Sequence, residues 1–249
     1  MITKKRLAFT LVEGLLAVTI VGIVAALTLP ALISKYQKDS FAALLKKNYN
    51  ELEHNLVSVH SNRFYRRNLY DSVLCRKSKL VDDAGVKSLS SLSVSDTAGK
   101  FLRENYNISK DCQQDTTPCF ASEYMDLQGN SQNFTCSEGY SVTLKSGSAL
   151  CIIPADTAHD GDAASNIESK PNDTDVIVHL DVNGSAMPNI GGRDMFTFYI
   201  YKDYSVDDLE YGVEKSLTKR EAAASTCESS AFGVGCLSKM ILNNWKMDY

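Results

Sequence analysis

The sequence lacks the residues and spacings that most catalytic chemistries need. Its four histidines are scattered at 54, 60, 159 and 179, and neither an HExxH nor a GxSxG motif occurs. His54 and His60 lie six apart, so on a helix they occupy different faces, and His179 in a strand reads as a packed residue. No glycine-rich loop has phosphate-cradling spacing. No cysteine pair has the CxxC spacing of a zinc module or a redox centre. Cations are also in deficit, with 26 Lys and Arg against 30 Asp and Glu. Setting aside Lys4, Lys5, Arg6 and Glu13 leaves 23 against 29, a net charge of minus six. That balance argues against a general nucleic-acid binder, which carries a basic stripe. Internal repeats are absent. What remains points to a structural or binding role and away from an enzyme.

The informative stretch is the first sixty residues. Lys4, Lys5 and Arg6 are followed by an apolar run from Leu11 to Leu29, and about 20 such residues cross a bilayer as a helix. The transmembrane segment is expected over about 10–33. Cations on its N-terminal side keep that end in the cytoplasm, so the rest of the chain is exported. Gly14 and Gly22 permit close approach of another helix in lipid. Glu13 breaks the pattern, since a carboxylate at the centre of a span costs about 2.5–3.5 kcal/mol and less near an edge. Pro30 removes a backbone donor and predicts a kink or local unwinding. Beyond it Phe41, Leu44, Leu45, Tyr49, Leu52, Leu56 and Val59 recur at three- and four-residue steps, one apolar stripe of an amphipathic helix. Phe9 to His60 would then form one helix of about 78 Å.

The segment Lys4-Lys5-Arg6-Leu7-Ala8-Phe9-Thr10-Leu11-Val12-Glu13 strongly resembles the processing site of type IV prepilins and type II secretion pseudopilins. The resemblance covers about the first 35 residues. It implies a leader over residues 1–8, cleavage between Ala8 and Phe9 by a prepilin peptidase, and N-methylation of Phe9. The family usually places Gly before the cut, where this chain has Ala8. It also implies that Glu13 serves in assembly and that Pro30 is the kinking proline of the pilin helix. The implied partners are other pilin or pseudopilin subunits in a helical filament, an inner-membrane assembly platform with a cytoplasmic ATPase, and membrane lipid. The chain would be stored in a bacterial inner membrane with its head outside the cytoplasm, then enter a filament in the periplasm or at the cell surface. The alternative is an extracytoplasmic binding protein or enzyme carrying an ordinary signal peptide or anchor, with Ala25, Ala26 and Ala31 marking a cut on the outer side.

The expected fold class is α+β: a long N-terminal helix over 9–60 whose second half packs against a small antiparallel sheet, within a pilin-like head at 61–249. In the head, Arg63, Arg66 and Arg67 read as a solvated face, and Ser88 to Ser95 as a loop. Thr97 to Tyr106 is expected to be a short helix carrying Phe101, Leu102 and Tyr106 inward. Tyr140–Leu144 and Ala149–Ile153 flank the turn residues Lys145 to Ser148 as a hairpin that Pro154 ends. An acidic loop over 155–175 holds Asp156, Asp160 and Asp162, a weak candidate ion site better read as solvated. Val176–Val182 and Met195–Tyr201 form a second strand pair, giving three or four strands that cover the helix stripe, and Ser216 to Ser225 reads as helical.

All seven cysteines follow the span, as disulfides outside the cytoplasm require. Short loops favour Cys112 with Cys119, Cys136 with Cys151, and Cys227 with Cys236, leaving Cys75 over. Between the last two strands, Asp181, Asn183, Asn189 and Asp194 offer hard oxygen ligands within fourteen residues, a donor set that suits calcium. The same residues also suit an Asn-Gly turn held by side-chain hydrogen bonds without metal.

Overall fold

A computed structural model of the chain describes residues 11–61, 94–154, 174–201, 204–209 and 216–249. The leader, the Ala8–Phe9 junction, Arg63, Arg66, Arg67, Cys75 and the acidic loop with Asp156, Asp160 and Asp162 lie outside these residues. The first helix, α1 (Leu11–Ser61), is assigned without interruption, Pro30 included. The local unwinding expected at Pro30 is therefore not found. A proline in a helix interior removes one backbone bond, and the bonds to either side still close their turns.

The chain divides into two units, residues 1–40 and Phe41 to Tyr249. In the second, α1 buries Phe41, Ala42, Leu45, Asn48, Tyr49, Leu52 and Leu56, the anticipated stripe as far as Leu56 with one polar residue inside it; Leu44 is partly buried, and the Val59 side chain lies outside the described residues. A second helix, α2 (Val94–Asn105), buries Ala98, Phe101 and Leu102 at the i, i+3, i+4 spacing of one face. It begins three residues earlier than expected. Gly99 lets it lie close on the sheet, because a Cβ there would stand 2.4 Å from the Tyr140 ring.

The sheet has six strands: β1 (Ile108–Gln113), β4 (Tyr140–Leu144), β5 (Ala149–Pro154), β6 (Thr174–Asp181), β7 (Met195–Tyr201) and β8 (Val206–Asp207). They lie side by side in that order and every neighbouring pair is antiparallel. The short strands β2 (Tyr124–Met125) and β3 (Ser131–Gln132) pair separately. Both expected pairings hold, with Tyr140 opposite Ile152 and His179 opposite Thr197. The sheet exceeds the expected three or four strands because β1 and β8 carry no alternating apolar pattern and are recruited at its two edges.

Alternation sorts the strand residues onto two faces. Val176, Val178, Leu180, Phe196, Phe198 and Ile200 share a core with the α1 stripe. Ile177, Met195, Tyr199 and Tyr201 belong to a second core with Phe120, Tyr124, Phe134 and Phe232. The sheet is thus buried on both faces, where the sequence accounted for one. Burying each of Leu45 and Leu52 stabilises this unit by about 1.5–3 kcal/mol.

The anticipated bridges are present as Cys112–Cys119, Cys136–Cys151 and Cys227–Cys236. The first two staple the segment that covers the second face, and the third joins α3 (Leu217–Thr226), through the short turn after it, to α4 (Cys236–Leu242). Bridges that close short loops restrict the unfolded chain, by about 3 kcal/mol for a 15-residue loop. Thiol labelling of the denatured, unreduced protein is therefore expected to find one reactive cysteine, Cys75. Seven reactive thiols would contradict the bridged head.

Candidate functional site

Three groups of residues concentrate polar chemistry. The first is the start of α1, where Glu13 stands in the opening turn of a helix whose Leu11, Val12, Leu15, Leu16, Val18, Ile20, Val21, Ile23 and Val24 are all exposed. This helix is long and apolar enough to cross a membrane. Its hydroxyls are satisfied locally: Thr19 Oγ1 donates to the Leu16 carbonyl at 2.8 Å and Thr28 Oγ1 to that of Val24 at 2.9 Å. A Cβ added at Gly14 or Gly22 would meet nothing within 4 Å, so the helix surface is open beside both.

The second group is the loop from Val182 to Asp194. Sequence reasoning named Asp181, Asn183, Asn189 and Asp194, and the fold brings them into one bracing arrangement. Asp194 accepts from the backbone amides of Asn189 at 2.7 Å and Ile190 at 2.6 Å. Asp181 accepts from Tyr124 Oη at 2.6 Å and from the Asn183 amide at 3.1 Å. Asn183 Nδ2 donates to the carbonyls of Ala186 and Met187. Gly192, at φ +83°, leaves room for the Cys227–Cys236 bridge, since a Cβ there would lie 2.8 Å from Cys236 Sγ. Burial pushes Asp181 well above the usual carboxylate range and Asp194 up to about 6; the Asp194 charge raises Asp181 further, while the bracing amides pull Asp194 back down.

This donor set does not fit calcium, which takes six to eight oxygens. All four carboxylate oxygens of Asp181 and Asp194 already accept from protein donors, and of the side-chain oxygens of these four residues those of Asn183 and Asn189 are left buried without a hydrogen bond. Among the described residues no group of three or more His, Cys, Asp or Glu is placed to hold a metal ion. The side-chain hydrogen bonds expected of the metal-free Asn-Gly turn are present at Asp181 and Asn183, in an eleven-residue loop over 183–193 that closes where the Asp194 backbone carbonyl takes the Val182 amide at 2.8 Å. Tyr124, at the end of an irregular segment, was the brace member the sequence did not suggest.

The third group was missed altogether. Arg220 on α3 forks onto Asp207 at 2.9 and 2.8 Å and approaches Asp208 at 3.7 Å. Asp208 accepts from the Ser238 amide at 2.7 Å and from its hydroxyl at 2.5 Å, fastening α4 to the sheet edge. Burial pushes Asp208 up to about 6; the Ser238 donors and Arg220 oppose the shift and Asp207 adds to it. A carboxyl raised in the folded state contributes stability that is complete below its unfolded value near 4 and is lost as pH rises through about 6. The Asp208 shift alone is therefore expected to lower the melting temperature between pH 4.5 and pH 7 by on the order of 5 °C in a domain of about 200 residues, and the raised carboxyls of Asp181 and Asp194 add to the fall. Asp208→Asn should lessen that slope, and an unchanged slope in the variant would contradict the assignment.

No family model, curated protein or solved structure matches the chain.

Proposed function

We propose that the protein is a pilin-like structural subunit, stored in the membrane through the first part of α1, processed between Ala8 and Phe9, and assembled into a type IV pilus or a type II secretion pseudopilus. The single observation that carries this reading is Glu13, a carboxylate in the first turn of an exposed apolar helix, directly after a basic leader. A plain signal-anchor needs hydrophobicity but has no use for that charge. Two further features support it. The second half of the same helix is the buried spine of an antiparallel head, and that head carries three disulfides, which persist in oxidising compartments. In this reading the partners are a prepilin peptidase, copies of similar subunits and an assembly platform driven by a cytoplasmic ATPase.

Processing tests the reading at the residue where the chain departs from the family. Ala8→Gly is expected to be cleaved at least as well as the parent, because both residues are small, and Ala8→Arg is expected to accumulate at the precursor mass. A gel-shift assay on membranes of cells expressing the peptidase separates the two. Normal conversion of Ala8→Arg would remove the prepilin interpretation of this site.

A further inference from the structure

Of the three arginines among the described residues, Arg103 pairs with Asp111 and Arg220 with Asp207. Arg193 forms no ion pair among these residues. Its side chain is half-buried and its Nε is walled in without a hydrogen bond, whereas an ordinary surface arginine buries its stem and keeps the whole head in water. The adjacent Asp194 carboxylate does not serve it, because its oxygens are taken by the Asn189 and Ile190 amides. Tyr249 lies close by. Its Oη donates to the Gly192 carbonyl at 2.9 Å, and the Arg193 charge opposes the rise that burial and Asp248 give that hydroxyl.

The surface around Arg193 is apolar and braced. Outside α1 the described residues hold three exposed large apolar side chains, and two of them, Met125 and Met187, stand here at 37% and 78% exposure. The Met125 amide donates to the Asn189 carbonyl at 2.9 Å and the Met125 carbonyl accepts from the Gly191 amide at 2.8 Å, so β2 lies along the loop that ends at Arg193. Asn183 Nδ2 holds the Ala186 and Met187 carbonyls of the same loop. A loop braced in this way loses little freedom when a partner covers it. Methionine, tyrosine and arginine are also residues in which protein interfaces are enriched.

We propose that this surface docks onto a second copy of the chain, which brings an unpaired carboxylate to the Arg193 guanidinium. A free anion would gain only one two-pronged contact here, too little to offset its lost translational freedom. A carboxylate carried on a protein surface arrives with apolar contact around it. A second copy supplies one, because the exported part of the chain has 29 acidic against 23 basic residues, and Asp115 and Glu221 are exposed and have no ion pair among the described residues. Both belong to segments other than the loop, so the contact joins unlike surfaces, and a head-to-tail contact of that kind can repeat from copy to copy. It suits the proposed filament subunit but does not depend on that reading, since the surface belongs wholly to the head.

The test places photoreactive benzoylphenylalanine at the exposed Ser185 position of the full chain, in cells that express it, with the mature N-terminus read separately. Irradiation should give a band at the mass of a dimer whose peptides all come from this chain. Arg193→Glu should weaken that band by about tenfold or more, as loss of one partner of a covered charge pair does. Lys246→Gln, which removes an exposed cation of the same sign, should keep it. Arg193→Gln, neutral and still long, decides the matter if Arg193→Glu does not fold. A missing dimer band, cross-links to other proteins only, a band as strong in Arg193→Gln as in the parent, or an equal loss in Lys246→Gln would each overturn the inference. An Arg193-dependent dimer band from a chain that begins beyond Ala26 would support it while removing the prepilin reading.

Discussion

Arg220→Ala is expected to lower the stability of the head by about 3–5 kcal/mol, the cost of removing one partner from a buried ion pair. The guanidinium side chain is 11% exposed and the Asp207 carboxylate 4%, so water cannot replace the lost charge on either carboxylate. For a domain of about 200 residues this amounts to a fall of roughly 10 °C in melting temperature. Trp245, which packs against Tyr49 with ring centroids 5.8 Å apart, offers a fluorescence signal for the transition. The loss should be larger at pH 8 than at pH 5, because Asp208 can take a proton at the lower pH and relieve the uncompensated charge. Arg220→Lys should fall between the parent and Arg220→Ala, since an ammonium keeps the charge but not the two-pronged contact. A melting temperature within 2 °C of the parent for Arg220→Ala would mean that the cluster is solvated and does not fasten α3 and α4 to the sheet edge.

Glu13→Ala is expected to have the largest functional effect. Under the proposed reading, cleavage before Phe9 creates a new α-amino group, which is cationic below its usual pKa of about 7.7–8.0 if methylation leaves it basic. In a filament the amine of an incoming subunit would meet the glutamate of a neighbour among packed apolar helices. Such a pair sets alignment more than it adds net stability. Removing one member of a desolvated pair costs enough to reduce incorporation by roughly tenfold or more. Glu13→Gln and Glu13→Ala should still be inserted and cut at Ala8, and the head should melt as the parent does, because the head's core begins at Phe41. Sheared filament fractions from cells that also express the parent measure this directly. Equal incorporation of Glu13→Ala would reduce Glu13 to a determinant of processing.

The parts of this molecule legible in the sequence are those whose information is local. The stripe from Phe41 to Leu56 repeats with the helix, Tyr140 to Ile153 alternates about a glycine turn, and the cysteines pair across short loops, so each pattern closes within one or two elements. The second core was not legible, because Phe120, Phe134 and Phe232 lie in irregular segments and Tyr124 in a two-residue strand, with no period to connect them. Nor was the Asp207–Arg220–Asp208–Ser238 cluster. Its members come from a two-residue strand, the residue after it and two helices, and in sequence they look like ordinary surface polar residues. The loop from Val182 to Asp194 was half legible: its oxygen-bearing residues stood out, while the backbone amides and the Tyr124 hydroxyl that occupy their carboxylates emerge only from the fold. Asn48 gave no signal because one asparagine within an apolar stripe looks like a helix-surface residue until its neighbours are known.

The central claim is that α1 belongs to a processed, filament-forming subunit, and the mature N-terminus tests it most directly. Mass spectrometry of the N-terminal peptide, from protein expressed with its own secretion or pilus machinery, should find a chain that begins at Phe9 and carries a methyl group on its α-amine. A mature chain that begins beyond Ala26, cut on the outer side of the membrane, would contradict the account and leave an ordinary exported protein.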